Sequence, residues 1–172
     1  MDTKSIYQNK DLTVFLDTDV IINWLCKEVD INTGERLWAA PHEIMKLIKD
    51  KRIYGASSLL NFMEIVFVLR RKNICEDKEI LYILSKIASM PTFLVIVPRS
   101  EDVVFGYHSE IERSFNPLKS FYFGICLNHD IDFILTRDAD FRDSANIDKE
   151  IALTPEEFLE KLQILNDEIK IK

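Results

Sequence analysis

The stretch Phe15-Leu16-Asp17-Thr18-Asp19-Val20-Ile21-Ile22 decides how the rest of the chain is read. The apolar residues Val14 to Leu16 run into two acids one residue apart, and a second apolar run begins at once. A buried strand that ends on a carboxylate and turns directly into a helix leaves that carboxylate at the carboxyl edge of a sheet. In open α/β folds ligands bind outside that edge. The remaining sequence decides whether other acids reach the same place.

Working outward, Thr13–Leu16 is short and apolar on both faces, as a central parallel strand should be. Thr18 or Asp19 is expected to cap a helix through Cys26, with Val20, Ile21, Trp24 and Leu25 at helical spacing. A second helix is expected from Glu35 to Lys51, interrupted near Pro41. Arg52–Ala56 reads as a strand that stops at Ser57-Ser58, and those serines cap a helix from Leu59 to Lys72. That helix is apolar enough to be mostly buried, yet it carries Glu64 in its second turn. Next come a helix from Glu76 to Met90, a strand Thr92–Val97 and a helix capped by Ser100 that runs to about Phe115. Asn116-Pro117 breaks the chain before a buried helix, Leu118 to Asn128. Asp132–Leu135 is a further strand, with Thr136–Phe141 as its exit loop. Ile151–Leu153 is the last strand, and Thr154-Pro155-Glu156-Glu157 starts a helix faced by Phe158, Leu159, Leu162 and Leu165. Strands alternating with helices predict a three-layer α/β/α sandwich around a parallel sheet of about four or five strands.

The 172 residues make one domain, with residues 1–11 expected to be a flexible lead. Four Gly and five Pro leave no room for long linkers. The net charge of -7 supplies no global basic field, which weighs against nucleic acid without excluding it, since acids can gather at a metal while Lys and Arg line the rim. Cys26, Cys75 and Cys126 are far apart and lack CxxC spacing, the pattern of reduced thiols rather than a zinc site. His42, His108 and His129 are isolated. The polar N-terminus is not expected to be a signal peptide, and no apolar run approaches the ~20 residues of a membrane span, so a cytoplasmic protein is expected.

Asp17 after the first strand, Glu64 in the helix after the second, and Asp138 with Asp140 after the fourth would all lie at one edge if the crossovers are right-handed. Each residue has a plainer reading. Asp17 can cap a helix, Glu64 can pair with Arg70 or Arg71, and Asp138 and Asp140 can form a solvated turn. An unpaired carboxylate on a buried helix is costly, however, and the three placements together favour a site. Gathered carboxylates repel without a cation, and oxygen-only ligands suit Mg²⁺ or Mn²⁺. Such an ion suits phosphodiester hydrolysis.

These residues, taken in order, resemble the PIN-domain ribonucleases, and in particular the VapC-type toxins of prokaryotic toxin–antitoxin pairs. The resemblance rests on Phe15-Leu-Asp17-Thr-Asp19-Val-Ile-Ile22, on Ser57-Ser58-Leu-Leu-Asn-Phe-Met-Glu64 and on Asp132-Phe-Ile-Leu-Thr136-Arg-Asp138-Ala-Asp140-Phe141. Thr154-Pro-Glu-Glu-Phe158 is similar to the family's closing strand-to-helix step. It implies a Mg²⁺- or Mn²⁺-dependent endoribonuclease acting on RNA, with Asp17, Glu64 and Asp138 holding the metal and Asp140 assisting. It also implies a homodimer and, in a toxin system, a small antitoxin protein as partner.

One position departs from the pattern. Where the family places an acid at the start of the helix before the fourth strand, this chain has Lys119, in Asn116-Pro117-Leu118-Lys119-Ser120-Phe121. A lysine beside Asp17 and Asp138 would offset their repulsion and compete with the cation. Alternatively the remaining acids keep the metal and the lysine meets a substrate phosphate, Glu110 or Glu112 swings in, or Lys119 points to solvent. Impaired activity is the expectation, with a catalytically degenerate PIN domain that binds RNA or a protein as the alternative to an active nuclease.

Overall fold

The computed structural model describes residues 12–74, 76–113, 116–147 and 150–170, with side chains at 112–113 and 165–170 left aside. The expected flexible lead, the Leu165 contact and the swing of Glu112 therefore fall outside the described residues. The elements are β1 (Thr13–Leu16), α1 (Thr18–Cys26), α2 (Ala39–Lys49), β2 (Tyr54–Ser58), α3 (Leu59–Arg71), α4 (Asp77–Ala88) and β3 (Phe93–Ile96). They continue with α5 (Ser100–Arg113), α6 (Pro117–Asn128), β4 (Phe133–Leu135), α7 (Ala139–Ala145), β5 (Ala152–Leu153) and α8 (Pro155–Lys170).

All pairings are parallel, and the strands lie in the order β3-β2-β1-β4-β5. β1 is central. Its Val14 stands beside Gly55 on one side and Phe133 on the other. Because side chains alternate across a strand, one short apolar run feeds two cores. Val14, Leu16, Phe133 and Leu135 pack with Ile21, Ile44, Ile48, Ile65, Leu69 and Phe158 on one face. Phe15 and Ile134 pack with Tyr122, Ile125, Phe141 and Ala145 on the other. The result is the expected α/β/α sandwich, and Leu16 and Leu135 pair directly, so the chain leaves β1 and β4 side by side.

Local departures from the sequence reading have simple causes. Pro41 sits in the first turn of α2, where its missing N–H breaks no helical hydrogen bond, so the helix begins at Ala39 and is not interrupted. The residues before it form turns instead, with Asp30 Oδ1 accepting from the amides of Asn32 and Thr33 and Gly34 at φ 74°. β2 continues through both serines. Ser57 is extended and donates its hydroxyl to Leu16 O at 2.9 Å, and Ser58 alone caps α3. After β4 the expected exit loop closes into the short helix α7.

The hairpin of α5 and α6 carries the second face to its neighbours. Gly106 and Gly124 let the two backbones touch: a Cβ at Gly124 would fall 2.5 Å from Gly106 N and 2.6 Å from Asp102 O. Buried Asp102 fixes the same crossing by accepting from Arg99 N at 2.7 Å and from Asn128 Nδ2 at 2.7 Å. Since backbone has to move to admit one methyl group, Gly124→Ala should destabilise the fold by about 3 kcal/mol, the upper range for overpacking. Urea unfolding followed by circular dichroism should show this as a lower midpoint with an unchanged slope.

Candidate functional site

The site is built on the exits of β1 and β4. Asp17 N donates to Leu135 O at 3.0 Å, which continues the ladder one residue past β1. Asp17 then caps α1 itself, Oδ1 accepting from Thr18 N at 2.8 Å, where Thr18 or Asp19 was expected to do so. Its carboxylate is 1% exposed. Oδ1 also accepts from Asn61 Nδ2 at 3.2 Å, and Oδ2 accepts from Thr136 Oγ1 at 2.8 Å and from Lys119 Nζ at 2.7 Å. A carboxylate offers about four lone-pair sites, and protein donors fill all of them here.

Each donor is aimed by its own element. Asn61 belongs to the reciprocal cap of α3, in which the Ser58 hydroxyl serves the amides of Leu60 and Asn61 while Asn61 Oδ1 takes Ser58 N. That leaves the Asn61 amide free to point at Asp17 and at Thr18 Oγ1, 2.9 Å away. Lys119 sits in the first turn of α6, which Pro117 opens and Asn116 caps by accepting Lys119 N at 3.0 Å. Its side chain bridges Asp17 and Asp138, the latter at 3.5 Å, beneath the rings of Phe141 at 5.1 Å and Tyr122 at 5.9 Å. Lys119 does not point to solvent.

Asp138 caps α7, Oδ1 accepting from Phe141 N at 3.0 Å, while Oδ2 faces Lys119. Asp140 lies exposed in the first turn of α7 and shares none of these contacts. Glu64 is half-buried and joins from α3: Oε2 accepts from Thr18 Oγ1 at 2.6 Å and from Tyr122 Oη at 2.8 Å. Arg70 pairs with Asp77 instead of Glu64. Asp17, Glu64 and Asp138 therefore belong to one network through Lys119, Thr18 and Asn61.

Sequence reasoning missed several members of that network. Asp19 accepts from Arg137 N at 2.8 Å, and its Oδ1 is buried without a hydrogen-bond partner. The Arg137 guanidinium turns away to hold Glu156 at 2.7 and 2.9 Å, Asn23 Oδ1 at 2.7 Å and Leu37 O at 2.8 Å. Two signals were available. Asn61 stands three residues after a serine cap, the capping-box spacing, and a tyrosine on a buried helix needs a partner for its hydroxyl.

Burial, and after it the charge of Asp17, pushes the Asp19 carboxyl from 3.8 up to about 6. Burial works against the Lys119 charge, but Asp17, Asp138 and Asp19 outweigh it and hold the ammonium above its ordinary value. Burial and the bond to Glu64 raise the Tyr122 phenol, so it remains a donor.

These residues do not fit the divalent ion expected from the sequence. Mg²⁺ demands near-octahedral oxygen ligation at about 2.0–2.1 Å. Asp17 has no lone pair to spare, and an ammonium stands between it and Asp138. Among the described residues, no three His, Cys, Asp or Glu side chains are arranged to hold a metal.

Several solved structures share this arrangement of strands and helices. A toxin–antitoxin complex from Klebsiella pneumoniae matches at TM-score 0.58 and 16% identity over 83% of this chain and 97% of that one. FitAcB from Neisseria gonorrhoeae matches at TM-score 0.57 and 13% identity, over 83% and 98% of the two chains. VapC20 of Mycobacterium tuberculosis, a toxin that cleaves the sarcin-ricin loop, matches at TM-score 0.55 and 15% identity over 76% and 94%. The chain has the VapC-type PIN fold. No protein-family model and no curated protein matches the sequence. Among the described residues, no helix is long and apolar enough to cross a membrane.

Asp19 gives this site a pH signature. Its folded value near 6 exceeds the unfolded 3.8, so between those values the folded state binds more protons and stability falls as pH rises. Asp19→Asn keeps an acceptor for Arg137 N and removes the charge. It should stabilise the protein at pH 7.5, by roughly 3 kcal/mol at most, and should be near neutral at pH 4. Thermal melts of both proteins across pH 4–7.5 measure the difference, with Asp17, Lys119 and Arg137 left in place around the substituted residue.

Proposed function

We propose that this protein is a PIN-type domain of the toxin–antitoxin kind that engages RNA at the carboxyl edge of its sheet and hydrolyses it weakly or not at all. The observation that carries the reading is the pairing of Lys119 with both Asp17 and Asp138. RNA as the ligand is supported by the likeness to a toxin that cleaves the sarcin-ricin loop, and an antitoxin partner by the likeness to a toxin–antitoxin complex. The homodimer rests on the sequence resemblance.

An active Mg²⁺- or Mn²⁺-dependent nuclease is the second reading, with Asp17, Glu64 and Asp138 as ligands and Asp140 assisting. Two features favour it. The Lys119–Asp138 contact is long at 3.5 Å, and the Asp138 side chain is 33% exposed against 1% for Asp17, so it is the more readily released of the two.

Incubation of the purified protein with single-stranded RNA and Mn²⁺ separates the two readings. The wild type should cleave at or near background while shifting the anisotropy of a labelled RNA. Lys119→Asp should raise the cleavage rate by about tenfold or more. Robust wild-type cleavage that Asp17→Asn abolishes would establish the active nuclease instead.

A further inference from the structure

We infer that Lys119 is the resident cation of this edge, so that the carboxylate cluster folds independently of divalent metal and becomes a divalent-cation site only when that one ammonium is removed. The inference rests on the reading of this edge as the functional site, but not on RNA being its ligand.

The Asp17 carboxylate, 1% exposed, keeps its charge only if donors surround it, and three of its four donors are neutral: Thr18 N, Asn61 Nδ2 and Thr136 Oγ1. Lys119 is its one ion-pair partner among the described residues. Removing one member of a buried pair strands the other charge, which is far more costly than never having built the pair. Asp138 stands on the adjacent strand exit and Asp19 two residues along, so the stranded charge would also meet like charges.

The ammonium is well placed for this duty. Its stem starts from the first turn of α6, where the capped backbone fixes Lys119 N on Asn116. The helix N-terminus adds its own partial positive charge on the same side. The head lies between carboxylates of two neighbouring strand exits, under two aromatic rings whose faces attract a cation. A divalent ion bridging Asp17 and Asp138 would have to occupy the space the ammonium holds. Removing the ammonium frees one lone pair on Asp17 and the facing oxygen on Asp138, and leaves excess negative charge that a hydrated divalent ion can compensate.

The test uses the full chain, Mn²⁺ alone as the probe, and no RNA. Wild-type melting should be the same in EDTA and in millimolar Mn²⁺, with no Mn²⁺ binding by calorimetry. Lys119→Met keeps most of the volume without the charge; it should melt about 5 °C or more lower in EDTA and recover most of that loss in Mn²⁺. Lys119→Asp should bind Mn²⁺ at least tenfold more tightly than the wild type, and it carries the test if Lys119→Met does not fold in EDTA. Submillimolar Mn²⁺ binding by the wild type would overturn the inference, as would a Lys119→Met protein as stable as wild type in EDTA, or a Lys119→Asp protein that gains no affinity. A failure of the RNA reading would show in the anisotropy and cleavage measurements and not in these.

Discussion

The structure depends on keeping one carboxylate charged where water does not reach it. Asp17 follows the central strand, and the topology that makes β1 central also buries its exit. An isolated buried charge is untenable, so every element that meets Asp17 brings a donor: α1 a backbone amide, α3 the Asn61 amide, the β4 exit the Thr136 hydroxyl and α6 the Lys119 ammonium. Four segments far apart in sequence are thereby tied at one point. The serine cap of α3 belongs to the same arrangement, because its pairing with Asn61 Oδ1 turns the Asn61 amide towards Asp17.

That constraint explains the division between what the sequence revealed and what it hid. The sheet and its layers were legible because strand identity needs only local patterning, and Val14–Leu16 and Phe133–Leu135 are apolar on both faces. Lys119 stood out in the sequence through the family resemblance, which implies an acid at that position. Its direction was not legible, since an ammonium in a first helical turn reaches solvent as readily as a neighbour until the partner strands are placed. The α7 helix was hidden because Thr136–Phe141 carries turn chemistry, and Asp138 both ends that turn and caps the helix.

Glu64 shows the limit most clearly. Its burial and its identity as the odd acid on an apolar helix could be read from sequence, but its partners could not. Thr18 and Tyr122 are 46 and 58 residues away, so only the folded chain brings their hydroxyls to Glu64. Thr18 accepts from Asn61 and donates to Glu64, so its hydroxyl sets the direction of the hydrogen bonds between α3 and the start of α1. This hydroxyl holds Glu64 one residue removed from Asp17 without direct contact between the two acids.

The charge balance of the edge then bears on what can approach it. Asp17, Asp19, Glu64 and Asp138 face a single ammonium, so even with Asp19 protonated the cluster keeps an excess of negative charge at neutral pH. A divalent ion would offset one charge more than the lysine does. A phosphodiester drawn over this edge therefore meets repulsion from the cluster itself, and attraction has to come from the rim. Arg99 is exposed just beyond β3, and the Arg137 guanidinium is committed to Glu156. The overall acidity of the chain points the same way: no long-range basic field compensates for the cluster, and contact with a polyanion depends on short-range groups and weakens steeply with salt. The Lys119 ammonium offsets part of that excess, and RNA binding at this edge would need the rim to offset the rest.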